Sequence, residues 1–151
     1  MQDKTPVNPF RDGLRLSRSP EPTVFVLFGA MGDLARRKII PAISNLAHNG
    51  LLPPSFAVLG IGRDELSHAE FRDKMRDAVD KGRHGASREV ADALLSGFHY
   101  LRSTDDSAGT AQELHRLLRE IDETRGTHGN RMFYLSVPPS AFFPILDLLG
   151  Q

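Results

Sequence analysis

One turn constrains this chain more than any other feature. Five apolar residues, Val24-Phe25-Val26-Leu27-Phe28, run straight into Gly29-Ala30-Met31-Gly32-Asp33-Leu34-Ala35. A short continuous apolar run rich in β-branched and aromatic residues, closed by glycine, reads as a strand buried on both faces. Gly29 ends it where the chain must turn tightly. Gly32 has no Cβ and can let the backbone approach a pyrophosphate. Ala35 is small enough for the following helix to sit close on the sheet. The N-terminus of that helix offers N–H groups and a positive dipole end to an anion. This is a dinucleotide-binding turn with glycines three apart and Ala in place of the third glycine. The same spacing also occurs in turns that hold no nucleotide. No Gly-Lys-Ser/Thr follows, so it is not a P-loop.

The rest of the chain alternates in the same way. The apolar set Leu34, Ile39, Ala42, Ile43 and Leu46 predicts a helix over 33–48, with a kink or restart near Ile40 because Pro41 lies inside it. Asn49-Gly50 stops it. A second strand covers 56–61, and the capping box Ser67-His68-Ala69-Glu70 opens a helix to Lys81. A loop from Lys81 to Ala86 leads to Ser87, which caps a helix reaching Leu95. A third strand spans 97–101. Thr110-Ala111-Gln112-Glu113 has capping-box spacing and predicts a helix from Thr110 to Arg125, with Leu114, Leu117, Leu118 and Ile121 inward. After a turn over 126–130 comes a fourth strand, 131–136, then Pro138-Pro139, and a last helix from Ser140 to Leu149. The expected fold class is α/β, a doubly wound, Rossmann-like parallel sheet flanked by helices. Residues 1–22, broken by Pro6, Pro9, Pro20 and Pro22, read as a flexible arm before a domain over 23–151.

Composition narrows the function. Lys and Arg number 19, as do Asp and Glu, so the net charge is zero, which argues against nucleic acid and against a polybasic membrane surface. No apolar run approaches the roughly 20 residues of a membrane span. The arm has no apolar segment of a secretory signal, so a cytoplasmic location is the default. Cysteine is absent, which removes disulfides, thiolate metal sites and a cysteine nucleophile. Asp105-Asp106 reads as solvated or helix-capping, and no metal is expected. The second strand runs out as Gly60-Ile61-Gly62-Arg63. A guanidinium there suits a 2′-phosphate and favours NADP. Asp64 beside it keeps NAD open, and Arg63 could instead be a solvated loop residue paired with Asp64 or Glu65.

Phe28 to Lys38, with Pro41, Asn45-Leu46 and Gly50-Leu51-Leu52-Pro53, resembles the N-terminal signature of glucose-6-phosphate dehydrogenases. Phe56 to Arg63 and Asn130 to Pro139 resemble two further segments of that family, and the likeness runs in order from Thr23 to Gly150. The resemblance implies that Gly29, Ala30, Met31, Gly32, Asp33 and Leu34 form the pyrophosphate and adenosine turn. It implies that Arg63 takes the 2′-phosphate of NADP, that Tyr100 lies near the adenine, and that Val137, Pro138 and Pro139 underlie the nicotinamide. Lys38 matches a lysine that reaches the active site. Met31 departs from the family, which has a small polar residue or Lys there; Met cannot donate a bond to phosphate. The implied reaction is oxidation of glucose 6-phosphate to its lactone by NADP, in a homo-oligomer. The substrate motif and the histidine base of the family have no counterpart here. The length therefore reads as the first third of a two-domain enzyme, binding NADP but inactive alone. The readings left open are a non-catalytic NADP(H)-binding module and another Rossmann nucleotide binder.

Overall fold

The computed structural model describes residues 20–82 and 87–151. Most of the proposed arm, and part of the loop expected over 81–86, lie outside the described residues. Four strands, β1 (Thr23–Phe28), β2 (Phe56–Gly62), β3 (Phe98–Arg102) and β4 (Arg131–Leu135), form one parallel sheet in the order β3-β2-β1-β4. β1 lies centrally, with Val24 opposite Ala57 of β2 on one side and Arg131 of β4 on the other. The order reverses between β1 and β4, and in such sheets ligands bind outside the carboxyl ends of the strands at that point.

Alternate residues of β1 point to opposite faces, and each face has its own core. Phe25 and Leu27 pack with Ile40, Ile43, Phe71, Met75, Val79 and Phe98 under α1 (Ile40–His48), α2 (His68–Lys81) and α3 (Arg88–Ser96). Val24, Val26 and Phe28 pack with Leu114, Leu117, Leu118 and Ile121 of α4 (Ser107–Arg125) and Leu148 of α5 (Phe142–Leu149). Two helical layers thus enclose the sheet. β4 is an edge: Met132, Phe133 and Tyr134 are exposed large hydrophobics, and among the described residues no strand pairs with its outer side.

Several local signals act as expected. Ser67 Oγ accepts from the Glu70 N–H, and Glu70 Oε2 accepts from the Ser67 N–H. Ser87 Oγ accepts from the Val90 N–H and caps α3. Gly50 follows α1 at φ +66, where its N–H and that of Leu51 close the last turn onto Ala47 and Leu46.

Three expectations need correction. The helix after β1 restarts at Ile40, as expected, but its expected apolar set is out of phase. It widens into a π-helical turn, Ala35–Ile39, in which the Ile40 N–H bonds the Ala35 carbonyl five residues back, and α1 follows with Pro41 in its first turn. Widening relieves the clash between the proline ring and the carbonyl four residues earlier. The inserted residue also rotates the buried stripe. Ala35, Ile40, Ile43 and Ser44 are buried, whereas Leu34, Ala42 and Leu46 of the expected set are exposed.

α4 begins at Ser107 rather than Thr110. Asp106 is its cap, its Oδ1 accepting from the Gly109 N–H. Thr110 is buried in the helix, and its hydroxyl accepts from the Thr104 N–H. Glu113 pairs with Arg116 instead of closing a box. At the chain's end, Ser140 lies in a 3-10 turn, Pro139–Ala141, and the α-helix proper starts at Phe142.

Candidate functional site

Gly29 makes the turn after β1 possible in two ways. Its φ is +79, and a Cβ there would lie 2.1 Å from the Ser136 carbonyl oxygen. The end of β4 therefore presses directly on the turn. The N–H groups of Gly29 and Ala30 both donate to the Ile61 carbonyl, at 2.9 and 3.1 Å, and Gly32 donates to Gly29. Those three donors hold the turn in shape. Asp33 and Leu34 have helical backbone directly after it, so the donors left facing outward are the first N–H groups of the helix.

Above this turn lies a cleft of about 620 Å³, within the usual size of a small-ligand site, roughly 300–1,000 Å³. Its floor is Phe28, Gly29, Met31 and Gly32; one wall is Ile61, Gly62 and Arg63; a second is Ser103, Thr104, Asp105 and Ser107. The third comes from Val137 and the Ser140–Leu148 segment after β4. The cleft thus sits at the carboxyl ends of the strands. It is largely apolar, with hydroxyls and one guanidinium at its polar positions. Among the described residues its wall contains no histidine, and Asp105 is its one carboxylate.

The loop carrying Arg63 is held from below. The Tyr100 hydroxyl donates to the Asp64 carbonyl at 2.8 Å, and burial, with the Asp64 charge beside it, pushes that phenol up to about 12, so it remains a donor. Ser103 N–H donates to the Gly62 carbonyl at 2.7 Å, which ties the β2 and β3 ends together. Arg63 reaches across to Asp105, Nη1 to Oδ1 3.1 Å, with both side chains exposed. Its partner is neither Asp64 nor Glu65; Glu65 is taken by Arg102.

The structure brings Gly29, Met31, Gly32, Arg63 and Val137 together around the cleft. Ala30 is fully buried beneath the turn. Asp33 is exposed and paired with Arg37 at 3.0 Å, four residues on. Leu34 and Lys38 are exposed on the same helix, outside the cleft wall, and Pro138 and Pro139 are exposed beside Val137. Tyr100 is buried against Phe71 and does not line the cleft. Sequence reasoning missed Ser103, Thr104, Ser107, Pro144, Ile145 and Leu148, which have no motif and reach the cleft through tertiary packing alone.

A family model, that of the glucose-6-phosphate dehydrogenase NAD binding domain, matches residues 26–151. The chain belongs to the glucose-6-phosphate dehydrogenase family. It is 39% identical over 147 residues to glucose-6-phosphate 1-dehydrogenase 2 of Mycobacterium tuberculosis, covering 95% of this chain and 29% of that protein. It is 42% identical over 127 residues to glucose-6-phosphate 1-dehydrogenase of Aggregatibacter actinomycetemcomitans, covering 83% of this chain and 25% of the relative. A solved glucose-6-phosphate dehydrogenase, in complex with its substrate glucose-6-phosphate, superposes with a TM-score of 0.77 at 30% identity, over 87% of this chain and 28% of that one. The chain thus spans under a third of the length of these glucose-6-phosphate dehydrogenases. Among its described residues no helix is long and apolar enough to cross a membrane.

Proposed function

We propose that this chain is the coenzyme-binding part of an NADP-dependent glucose-6-phosphate dehydrogenase. The observation that carries the reading is the placement of Arg63. It stands at the end of β2, on the rim of the cleft floored by Gly29 and Gly32, where a dinucleotide's adenosine ribose falls in sheets of this topology. A guanidinium there can hold a 2′-phosphate through two parallel charge-assisted bonds. The helix that starts at Asp33 faces the pyrophosphate with its first N–H groups, which compensates for Met31, a side chain with no donor. In this reading residues 23–151 form the domain, residues 1–22 precede it as an arm, and the setting is cytoplasmic.

Bound there, NADP would accept the hydride released from C1 of glucose 6-phosphate as the sugar becomes its lactone. That step also requires a base for the C1 hydroxyl proton. No histidine lines the cleft among the described residues, so these residues bind and orient the coenzyme while the base is supplied elsewhere in a whole enzyme, which would be a homo-oligomer. Lys38, on the helix leading away from the turn, is proposed to reach toward substrate there.

The test is a titration of the chain with NADP, NAD and ATP, with an assay for NADPH formation from glucose 6-phosphate. NADP is expected to bind most tightly, without turnover. Preferential ATP binding would overturn the coenzyme reading, and turnover by the chain alone would overturn the division of labour.

A further inference from the structure

The ion pair between Arg63 and Asp105 spans the cleft rim, and it bears on which coenzyme the site prefers. Arg63 pairs with Asp105 at 3.1 Å, and Glu65, two residues on, is taken by Arg102 at 3.3 Å. The Asp64 main-chain carbonyl is occupied by Tyr100. Asp105 does not cap α4, since its neighbour Asp106 accepts from the Gly109 N–H. Its side chain is 96% exposed, and among the described residues it pairs with Arg63. An exposed pair of this kind contributes little to stability, but it occupies the group that a 2′-phosphate needs.

We propose that Asp105 is a specificity-determining residue, a tethered anion that competes with the coenzyme 2′-phosphate for Arg63 and moderates the preference for NADP over NAD. The inference rests on the reading of Arg63 as the 2′-phosphate partner. For NADP to bind through Arg63, the guanidinium must leave Asp105 or share itself between two anions. A carboxylate 3.1 Å from that nitrogen stands within a few ångströms of any phosphate bound to it, and the two repel. NAD brings no phosphate to this position and leaves the pair intact. The carboxylate thus acts on NADP binding alone.

The experiment measures dissociation constants of NADP and NAD for the chain, for Asp105→Asn and for Arg63→Ala, at low and high salt. Asp105→Asn is expected to tighten NADP by about three- to tenfold at low salt, with NAD changed by less than about twofold, and the gain should shrink as salt screens the repulsion. Both residues are exposed, so circular dichroism and thermal unfolding should match the parent. Unchanged NADP affinity in Asp105→Asn would overturn the inference. So would a loss for both coenzymes, which would make Asp105 a ligand rather than a competitor. Arg63→Ala separates the two levels: if it weakens NADP selectively while Asp105→Asn does nothing, Arg63 keeps its role and only the competition fails. If Arg63→Ala affects both coenzymes equally, the underlying assignment fails.

Discussion

Replacing Gly29 with alanine tests how the fold shapes the cleft floor. The residue sits at φ +79, and an added methyl would lie 2.1 Å from the Ser136 carbonyl oxygen and 3.0 Å from Val137 Cγ1. A relaxed carbon–oxygen contact is roughly 3.3 Å, so the end of β4 would have to withdraw by about 1 Å. Two bonds cross this point, Ser136 N–H to the Phe28 carbonyl and Gly29 N–H to the Ile61 carbonyl, both 2.9 Å. Losing or stretching them costs about 0.5–1.5 kcal/mol each, and the left-handed backbone adds about 1 kcal/mol for alanine. The expected loss is therefore about 3 kcal/mol. With a urea dependence of about 2 kcal/mol per molar, the unfolding midpoint should fall by about 1.5 M. Gly50→Ala is the matched control. Its φ is +66 and nothing lies within 4 Å of an added Cβ, so only the backbone contribution applies, about 1 kcal/mol or 0.5 M. Equal midpoint shifts for the two variants would refute the close approach of β4 to the turn.

Asp122 accepts hydrogen bonds from Arg131, Thr127 and the Gly129 N–H and so ties the end of α4 to the start of β4. The Arg131 guanidinium, chiefly, holds its carboxyl well below the usual carboxylate range. A depressed native value means that its stabilisation is complete above about pH 4 and is lost as pH falls further; Asp122→Asn should cost about 2–4 kcal/mol at pH 7 in urea unfolding, with the gap to the parent narrowing below pH 4. A gap independent of pH would contradict this. Tyr100→Phe removes the bond to Asp64 and should cost about 1 kcal/mol while weakening NADP only a few-fold in a binding titration, because the ring is not in the cleft. A loss as large as that of Arg63→Ala would restore Tyr100 as a direct ligand.

The turn and the strands around it were legible because their causes are local. An apolar run ending in glycine, a small residue on the first helical turn, and a serine three residues before a glutamate each act within a few positions. The phase of α1 was not legible. Pro41 announces a disturbance, but a kink and a widened turn relieve the same clash, and only the second shifts burial from Leu34, Ala42 and Leu46 to Ala35, Ile40 and Ser44. The start of α4 failed for a related reason. Asp106 and Thr110 both have capping chemistry, and the choice depends on Thr110 being buried against the Thr104 loop.

At the candidate site, the sequence pointed to Gly29, Gly32 and Arg63, which line one cleft, but not to what faces them. Asp105 lies 42 residues from its partner, and Pro144, Ile145 and Leu148 reach the cleft only because α5 folds back beside α4. Tyr100 illustrates the converse. The family resemblance implies a place near the adenine, whereas the packing of Phe71 and the Asp64 carbonyl turns it inward to support the loop.

The central claim is that Arg63 reads the 2′-phosphate at the rim of this cleft. The most direct measurement is the ratio of NADP to NAD dissociation constants for the chain and for Arg63→Ala. A charge-assisted bond is worth about 1.5–3 kcal/mol, and exposure at the rim holds the pair to about that value in all, which predicts that the variant binds NADP about 10- to 150-fold more weakly and NAD within twofold of the parent. An unchanged ratio would contradict it.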